Sequence, residues 1–404
     1  MVAVHGISMD RIDNGPAEGA VAFSLAKAPN RGRIHRFPAE GWEIELRSGS
    51  EYVVARTGRS LAGSALVDAA IDHTHRALDL SSVEDGEHLV TATPADGHIA
   101  FELAAGRRIV RVHAVADVPV AIDLSITVTR ADGSVEPPPI HPALVWAPAF
   151  RFHRLSQSSG DLFDAYRNLF LGLEALLDQV FPKTRKEGEK QWLLRSVAAA
   201  GARVDLARIA RPGAVDPVQD LVDRIYGIRV QLFHAKIGRA LIPDDSVSYT
   251  EVAQVYPTLL ELWTEIVRGW LSLKRGGGVI THQGFRLMIE RSYSSVDIGV
   301  TADDSAAVAE ETSPSPCGLP VAILGDPVRL TEVQPGRMGL FGSTDISALP
   351  VDQVVGRILI LGPQGAPYMI NSIKGGLTLN GADRFETVSI MRLVNRYQPR
   401  TEFN

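Results

Sequence analysis

Arg229 and His234 are the residues whose types and spacing best suit chemistry in this 404-residue chain. They stand in residues 224–239, RIYGIRVQLFHAKIGR. A guanidinium is always charged and its planar donors can hold a carboxylate or a phosphate through two parallel hydrogen bonds. An imidazole titrates near neutral pH, so it can take or give a proton. Together they suit a reaction in which negative charge builds on an oxygen while a proton moves.

The element that must carry them is a helix. Asp216 caps it, Pro217 takes its first position, Gln219 completes a capping-box-like arrangement and Gly238 ends it. With Val218 at zero, Leu221, Val222, Ile225, Ile228, Leu232 and Phe233 fall within an arc of roughly 140°, and Arg229 lands near 20°, inside that arc. Burying a charge unpaired costs several kcal/mol, so Arg229 needs a carboxylate, a phosphate or water. Glu174 and Asp178, four residues apart on one face of an earlier helix, are the expected partners. His234 lies about 140° around from Arg229, so one straight helix does not bring the pair together. Two copies meeting across a two-fold axis would. The same residues also suit plain structural duties: Arg229 as an ion pair, and His234, Lys236 and Arg239 as cations complementing a helix C-terminus.

Three other helices should surround this one. Ser159 caps a helix from Asp161, with Leu162, Tyr166, Leu169, Leu173, Leu176 and Val180 on one face, ending before Pro182. QWLLRSVAAAGARVDLARIA is helical with a break near Gly201, and residues 249–274 give a fourth helix that Pro257 either kinks or confines to a later start. On either side the pattern is β. WEIELRSGS and EYVVARTG read as two strands joined by a turn, followed by HLVTATP, HIAFELAA, RRIVRVHAV and VPVAIDLSITVTR, with one helix near residues 61–80. After residue 279, GFRLMIERSY, VDIGVTA, PVAILGD, VVGRILILG, PYMINSI and ETVSIMRLV read as strands, and TADDSAAVAEETSPSPCG as a mobile acidic loop. The expected fold class is α+β in three domains: a β-rich domain with one inserted helix over 1–154, a helical bundle over 155–275 and a second β-rich domain over 276–404.

Arg229-Val-Gln-Leu-Phe-His234 resembles the R-x4–6-H motif of HEPN domains, helical bundles found in many prokaryotic ribonucleases, toxins and antiviral proteins. YRNLFLGLEALLDQVFP is similar to the first helix of that domain and IYGIRVQLFHAK to its motif helix. The likeness is nearest the ApeA-like branch, and GEKQWLLRSV with LFHAKIG is also similar to methylamine-utilisation proteins of the MauJ type. The resemblance implies metal-independent endoribonuclease chemistry in a groove of a homodimer, as a defence or stress effector. Arg229 and His234 would be catalytic, with Glu174 or Asp178 behind Arg229, and Tyr226, Lys236 and Arg239 on RNA phosphates. Val230 stands where active members usually carry a polar residue. That departure implies the other expectation, a catalytically silent dimerisation module whose flanking β domains bind a protein or a small ligand.

Composition narrows the rest. Hydrophobic residues at 45% and charged residues at 22% fit packed domains, not a disordered chain. A net charge of −6 argues against coating nucleic acid by bulk charge, although residues 224–239 hold four Lys or Arg and no acid. One cysteine, Cys317, excludes an intramolecular disulfide and suits a reducing, cytoplasmic setting. Neither a signal peptide nor a run of about 18 uncharged apolar residues is read. Asp72, His73 and His75 are poor metal ligands on a helix, where i,i+2 side chains diverge by about 200°. Arg384, Arg392, Arg396 and Arg400 read as a solvated face. No cofactor or metal is expected, and no P-loop, G-x-S-x-G, H-E-x-x-H or CxxC pattern occurs.

Overall fold

The computed structural model describes every residue except 14, 92–96, 122–126, 128, 136–144, 234–240, 244, 272–279, 309–310, 350–353, 396–398, 402 and 404. The chain opens with β1 (Val2–Val4), β2 (Ile7–Ser8), β3 (Arg11–Ile12), β4 (Gly15–Pro16), β5 (Gly19–Ser24), β6 (Arg33–Phe37), β7 (Trp42–Leu46) and β8 (Tyr52–Thr57). Helix α1 (Gly63–Asp85) and strands β9 (Gly97–Ala104) and β10 (Arg107–Val120) follow. Six helices come next: α2 (Pro148–Ser158), α3 (Leu162–Val180), α4 (Glu189–Ala200), α5 (Leu206–Ile209), α6 (Pro217–Phe233) and α7 (Ser246–Leu271). The last part holds α8 (His282–Ser292), β11 (Asp297–Thr301), β12 (Ala322–Ile323), β13 (Arg329–Gln334), β14 (Arg337–Asp345), β15 (Val354–Leu361), β16 (Pro367–Leu379) and β17 (Arg384–Asn395). The fold class is α+β. Among the described residues no helix is long and apolar enough to cross a membrane.

The chain divides into two compact units, where the sequence suggests three. One combines Met1–Val120 with Ile280–Asn395; the other combines Ala121–Val279 with Arg396–Asn404. Backbone pairing explains the merger of the two β regions. β10 runs parallel to β17, from Ile109 opposite Arg384 to Val120 opposite Asn395. This seam completes a nine-stranded sheet in the order β13-β14-β17-β10-β9-β5-β8-β7-β6. A six-stranded sheet, β12-β11-β15-β16-β1-β2, likewise mixes both ends of the chain.

Side-chain alternation places the layers of this β-rich unit. On β5, Ala20 and Ala22 join a core with Val4, Ile298, Ile358 and Leu377 of the six-stranded sheet. Val21 and Phe23 point the other way, into a core with Leu66, Ala70 and Ala77 of α1. The strand is therefore apolar on both faces, as a strand covered twice must be. Packing is close here too: a Cβ on Gly19 would lie 2.9 Å from a Leu66 methyl and would displace that side chain.

Three local readings are corrected. GFRLMIERSY forms α8, not a strand. Phe285, Leu287 and Ile289 mimic alternation, but only Phe285 and Ile289 are buried, one helical turn apart, while Leu287 is exposed. Thr281 caps that helix by accepting from the Gly284 N–H at 3.1 Å. RRIVRVHAV and the start of VPVAIDLSITVTR are one strand, β10, because Pro119 sits near its end. In HLVTATP, Thr91 makes only an isolated bridge to Leu25, and residues 92–96 lie outside the described residues.

The helical unit follows the apolar spacing closely. Leu162, Tyr166, Leu169, Leu173 and Leu176 of α3 are buried together with Leu221, Val222, Ile225, Ile228 and Leu232 of α6 and Tyr256, Leu259 and Trp263 of α7. The cap of α3 is Asp161, which accepts from Asp164, while Ser159 accepts the Asp161 N–H. Pro257 lies inside α7 without ending it. α2 precedes the expected start of the bundle.

Candidate functional site

The candidate site sits where α3, α4 and α6 meet. α6 starts as its sequence dictates: Asp216 accepts from the N–H groups of Val218 and Gln219 at 3.0 and 3.1 Å. Two bonds from α3 fix its rotation. The buried Tyr166 hydroxyl donates to the Ile225 carbonyl at 2.7 Å, and Arg167 donates to the Leu232 carbonyl at 3.4 Å. With the apolar face inward, Arg229 falls at its margin, and its side chain is 17% exposed.

The Arg229 guanidinium meets the Glu189 carboxylate at 2.8 Å. Three rings surround it: Phe233 at 5.1 Å, Tyr226 at 5.7 Å and Phe170 at 5.8 Å from their centroids. Its Nε is buried with no hydrogen-bond partner among the described residues. Glu174 lies one turn beyond Phe170 on α3 and shares a hydrogen bond with Glu189. Burial, then that bond and the Glu189 charge, push the Glu174 carboxyl up to about 8, against the opposing pull of Arg229. At neutral pH one carboxylate therefore faces one guanidinium, and the second carboxyl keeps its proton.

The structure places the expected residues unevenly. Glu174 joins Arg229 through Glu189, whereas Asp178 accepts the Lys183 N–H at 3.0 Å and serves the turn after α3. Tyr226 flanks Arg229 and packs partly into the core. His234, Lys236, Gly238 and Arg239 lie outside the described residues. Gln231 donates back to the Gly227 carbonyl at 3.4 Å. Glu189 and Phe170 escaped sequence reasoning. The signal for Glu189 was its place just after Gly188, in the first turn of a helix, where an acid complements the dipole.

The lesser candidates resolve into packing. His73 stacks on Trp42 at 5.0 Å and bonds the Ala69 carbonyl at 2.7 Å through Nδ1. Among the described residues no group of three or more His, Cys, Asp or Glu could hold a metal ion. Arg384 pairs with Asp326, Asp345 and Glu386, and Arg392 with Asp117. Arg396 lies outside the described residues, and Arg400 belongs to the helical unit. No protein-family model, curated protein or solved structure matches the chain.

Proposed function

We propose that the helical unit is a catalytically silent, HEPN-like association module that pairs with a second copy of the chain, and that the β-rich unit binds a protein or a small ligand. The observation that carries this reading is the 2.8 Å contact between Arg229 and Glu189. A guanidinium that stabilises a developing phosphorane needs uncompensated positive charge. Here a carboxylate already neutralises it, with a second carboxyl held against the first. Deprotonating Glu174 would make the cluster negative and repel a phosphate. Val230 beside Arg229 supplies no polar group to offset this.

The second reading, a metal-independent endoribonuclease acting as a defence or stress effector, draws on one observation. Tyr226 and the partly exposed Phe233 flank the guanidinium as aromatic surfaces on which bases can stack. His234 would move the proton, and Lys236 and Arg239 would hold phosphates.

One experiment separates them. Purified chain is incubated with RNA in EDTA, beside His234→Ala and Arg229→Ala, and its mass in solution is measured by light scattering. The association reading expects a dimer and no cleavage above that of either variant. Cleavage by the wild type that both substitutions abolish establishes the ribonuclease. A strictly monomeric chain overturns both readings.

A further inference from the structure

Residues 399–403 reach the helical unit separately, after the β-rich unit is complete. Their described members belong to no helix or strand. They are held instead by side chains of α2 and α7 and by a main-chain carbonyl of the turn after α2. Gln157 addresses the main chain of Arg400 at both ends. Its Oε1 accepts the Arg400 N–H at 2.5 Å, and its Nε2 donates to the Arg400 carbonyl at 3.3 Å. Such pairing is indifferent to side chain, so it fixes register and leaves specificity to other contacts.

Two side chains add that specificity. The Arg400 guanidinium donates to the Ser159 carbonyl at 3.0 Å. Phe403, 5% exposed, stands edge-on to Tyr256 with centroids 4.9 Å apart, and its carbonyl accepts from the Tyr249 hydroxyl. Arg400 lies 4.4 Å over the Phe403 ring, so the two determinants brace each other. Thr401 between them is exposed. The receiving side has bonds of its own: the Tyr256 hydroxyl, buried with the segment in place, bonds Ser156 at 2.7 Å and Gln157 at 2.9 Å. A few residues fastened through one backbone contact, one cation and one aromatic anchor have the anatomy of a bound peptide.

We propose that the surface formed by Gln157, Ser159, Tyr249 and Tyr256 is a peptide-recognition site for an Arg-x-x-Phe segment, with residues 399–403 as its resident ligand. The segment is separable from the fold that receives it.

The test uses the full chain carrying Arg400→Ala and Phe403→Ala together, which removes the cation and the aromatic anchor and leaves only the main-chain bonds to compete. A synthetic peptide of residues 396–404, RYQPRTEFN, is titrated by calorimetry. Saturable binding is expected to this variant, and none once Gln157→Ala is added. In the intact chain the tethered segment competes at an effective concentration on the order of 1 mM. A peptide that binds the doubly substituted chain at about 1 µM is then weakened on the order of a thousandfold in the intact chain. A folded double variant that ignores the peptide overturns the proposal. If the double variant melts early, a melting temperature that climbs with peptide concentration supports the proposal, and one that does not move overturns it.

Discussion

The Arg229 guanidinium and the Glu189 carboxylate, 2.8 Å apart, join α6 to the first turn of α4. Glu189 acts twice there: it complements the helix dipole and it neutralises a cation at the edge of the core. Truncating it leaves Arg229 half-buried without its carboxylate partner. Glu189→Ala should lower the free energy of unfolding by about 1–3 kcal/mol, and adding Arg229→Met to Glu189→Ala should recover part of that loss. Urea titrations of the four-member cycle measure the coupling. A coupling indistinguishable from zero would mean that the contact is incidental.

Glu174 gives the helical unit a pH dependence of unusual sign. Its carboxyl is raised in the folded chain to about 8, above the ordinary value of the unfolded chain, because burial and Glu189 favour the protonated form. The folded state thus holds a proton that the unfolded state has released. The resulting stability is complete below the unfolded carboxyl pKa and is lost as pH rises through about 8. Glu174→Gln keeps the hydrogen-bonding shape without the charge. It should raise the urea midpoint at pH 8.5 and leave it unchanged at pH 4. Equal shifts at both pH values would show that Glu174 does not titrate this way.

The helical unit was largely legible in the sequence because its determinants are local. Asp216, Pro217 and the run from Leu221 to Leu232 announce α6 without reference to anything distant. The partner of Arg229 was not. Helical arithmetic ranks residues on one helix, and it favoured the i,i+4 pair Glu174 and Asp178. It cannot say that the start of α4 comes to rest beside α6. That the two β regions share sheets is illegible for the same reason. Ile109 and Arg384 are neighbours across a parallel seam, and no periodic pattern encodes a pairing so remote in sequence. α8 is hard to read locally because the order Phe285-x-Leu287-x-Ile289 imitates strand alternation, and the Thr281 cap that marks a helix start lies outside that run.

His113 should give the β-rich unit a pH dependence of the opposite sign. On β10 it pairs in register with His98 of β9, and their rings stack at 4.8 Å. Burial first, then His98, Arg337 and Arg111, push His113 down to about 4. The folded state therefore holds fewer protons than the unfolded state between about 4 and the ordinary histidine value near 6.5. Stability present at pH 7 should be lost as pH falls through that window. His113→Phe retains a ring against His98 and should flatten the dependence. The test is the urea midpoint of the transition reported by β signal at pH 7 and pH 5. An equally steep acid loss in the variant would assign the effect to another group.

Arg357 should control whether the acidic loop after β11 stays seated: its described residues form no helix or strand and are tied to β15 by side-chain bonds. Arg357 on β15 is fully buried. It pairs with Glu311 at 2.8 Å and donates to the Ser305 hydroxyl and carbonyl at 2.6 and 2.9 Å. Asp303 gathers the other side, accepting from Ser305, Ser315 and the Cys317 N–H, and these bonds hold its carboxyl far below the usual range. Gly356 admits the segment: a Cβ there would meet the Asp303 carbonyl at 2.4 Å. Arg357→Met would leave Glu311 without its cation against the sheet and should lower the urea midpoint. Cys317 reports the release, being exposed and the single cysteine. Asp303 raises its thiol pKa in the intact chain, which slows reaction at neutral pH. Arg357→Met should therefore speed labelling of Cys317 by a disulfide reagent at pH 7 and open residues 304–319 to protease. Unchanged rates of both would show that the segment is held without Arg357.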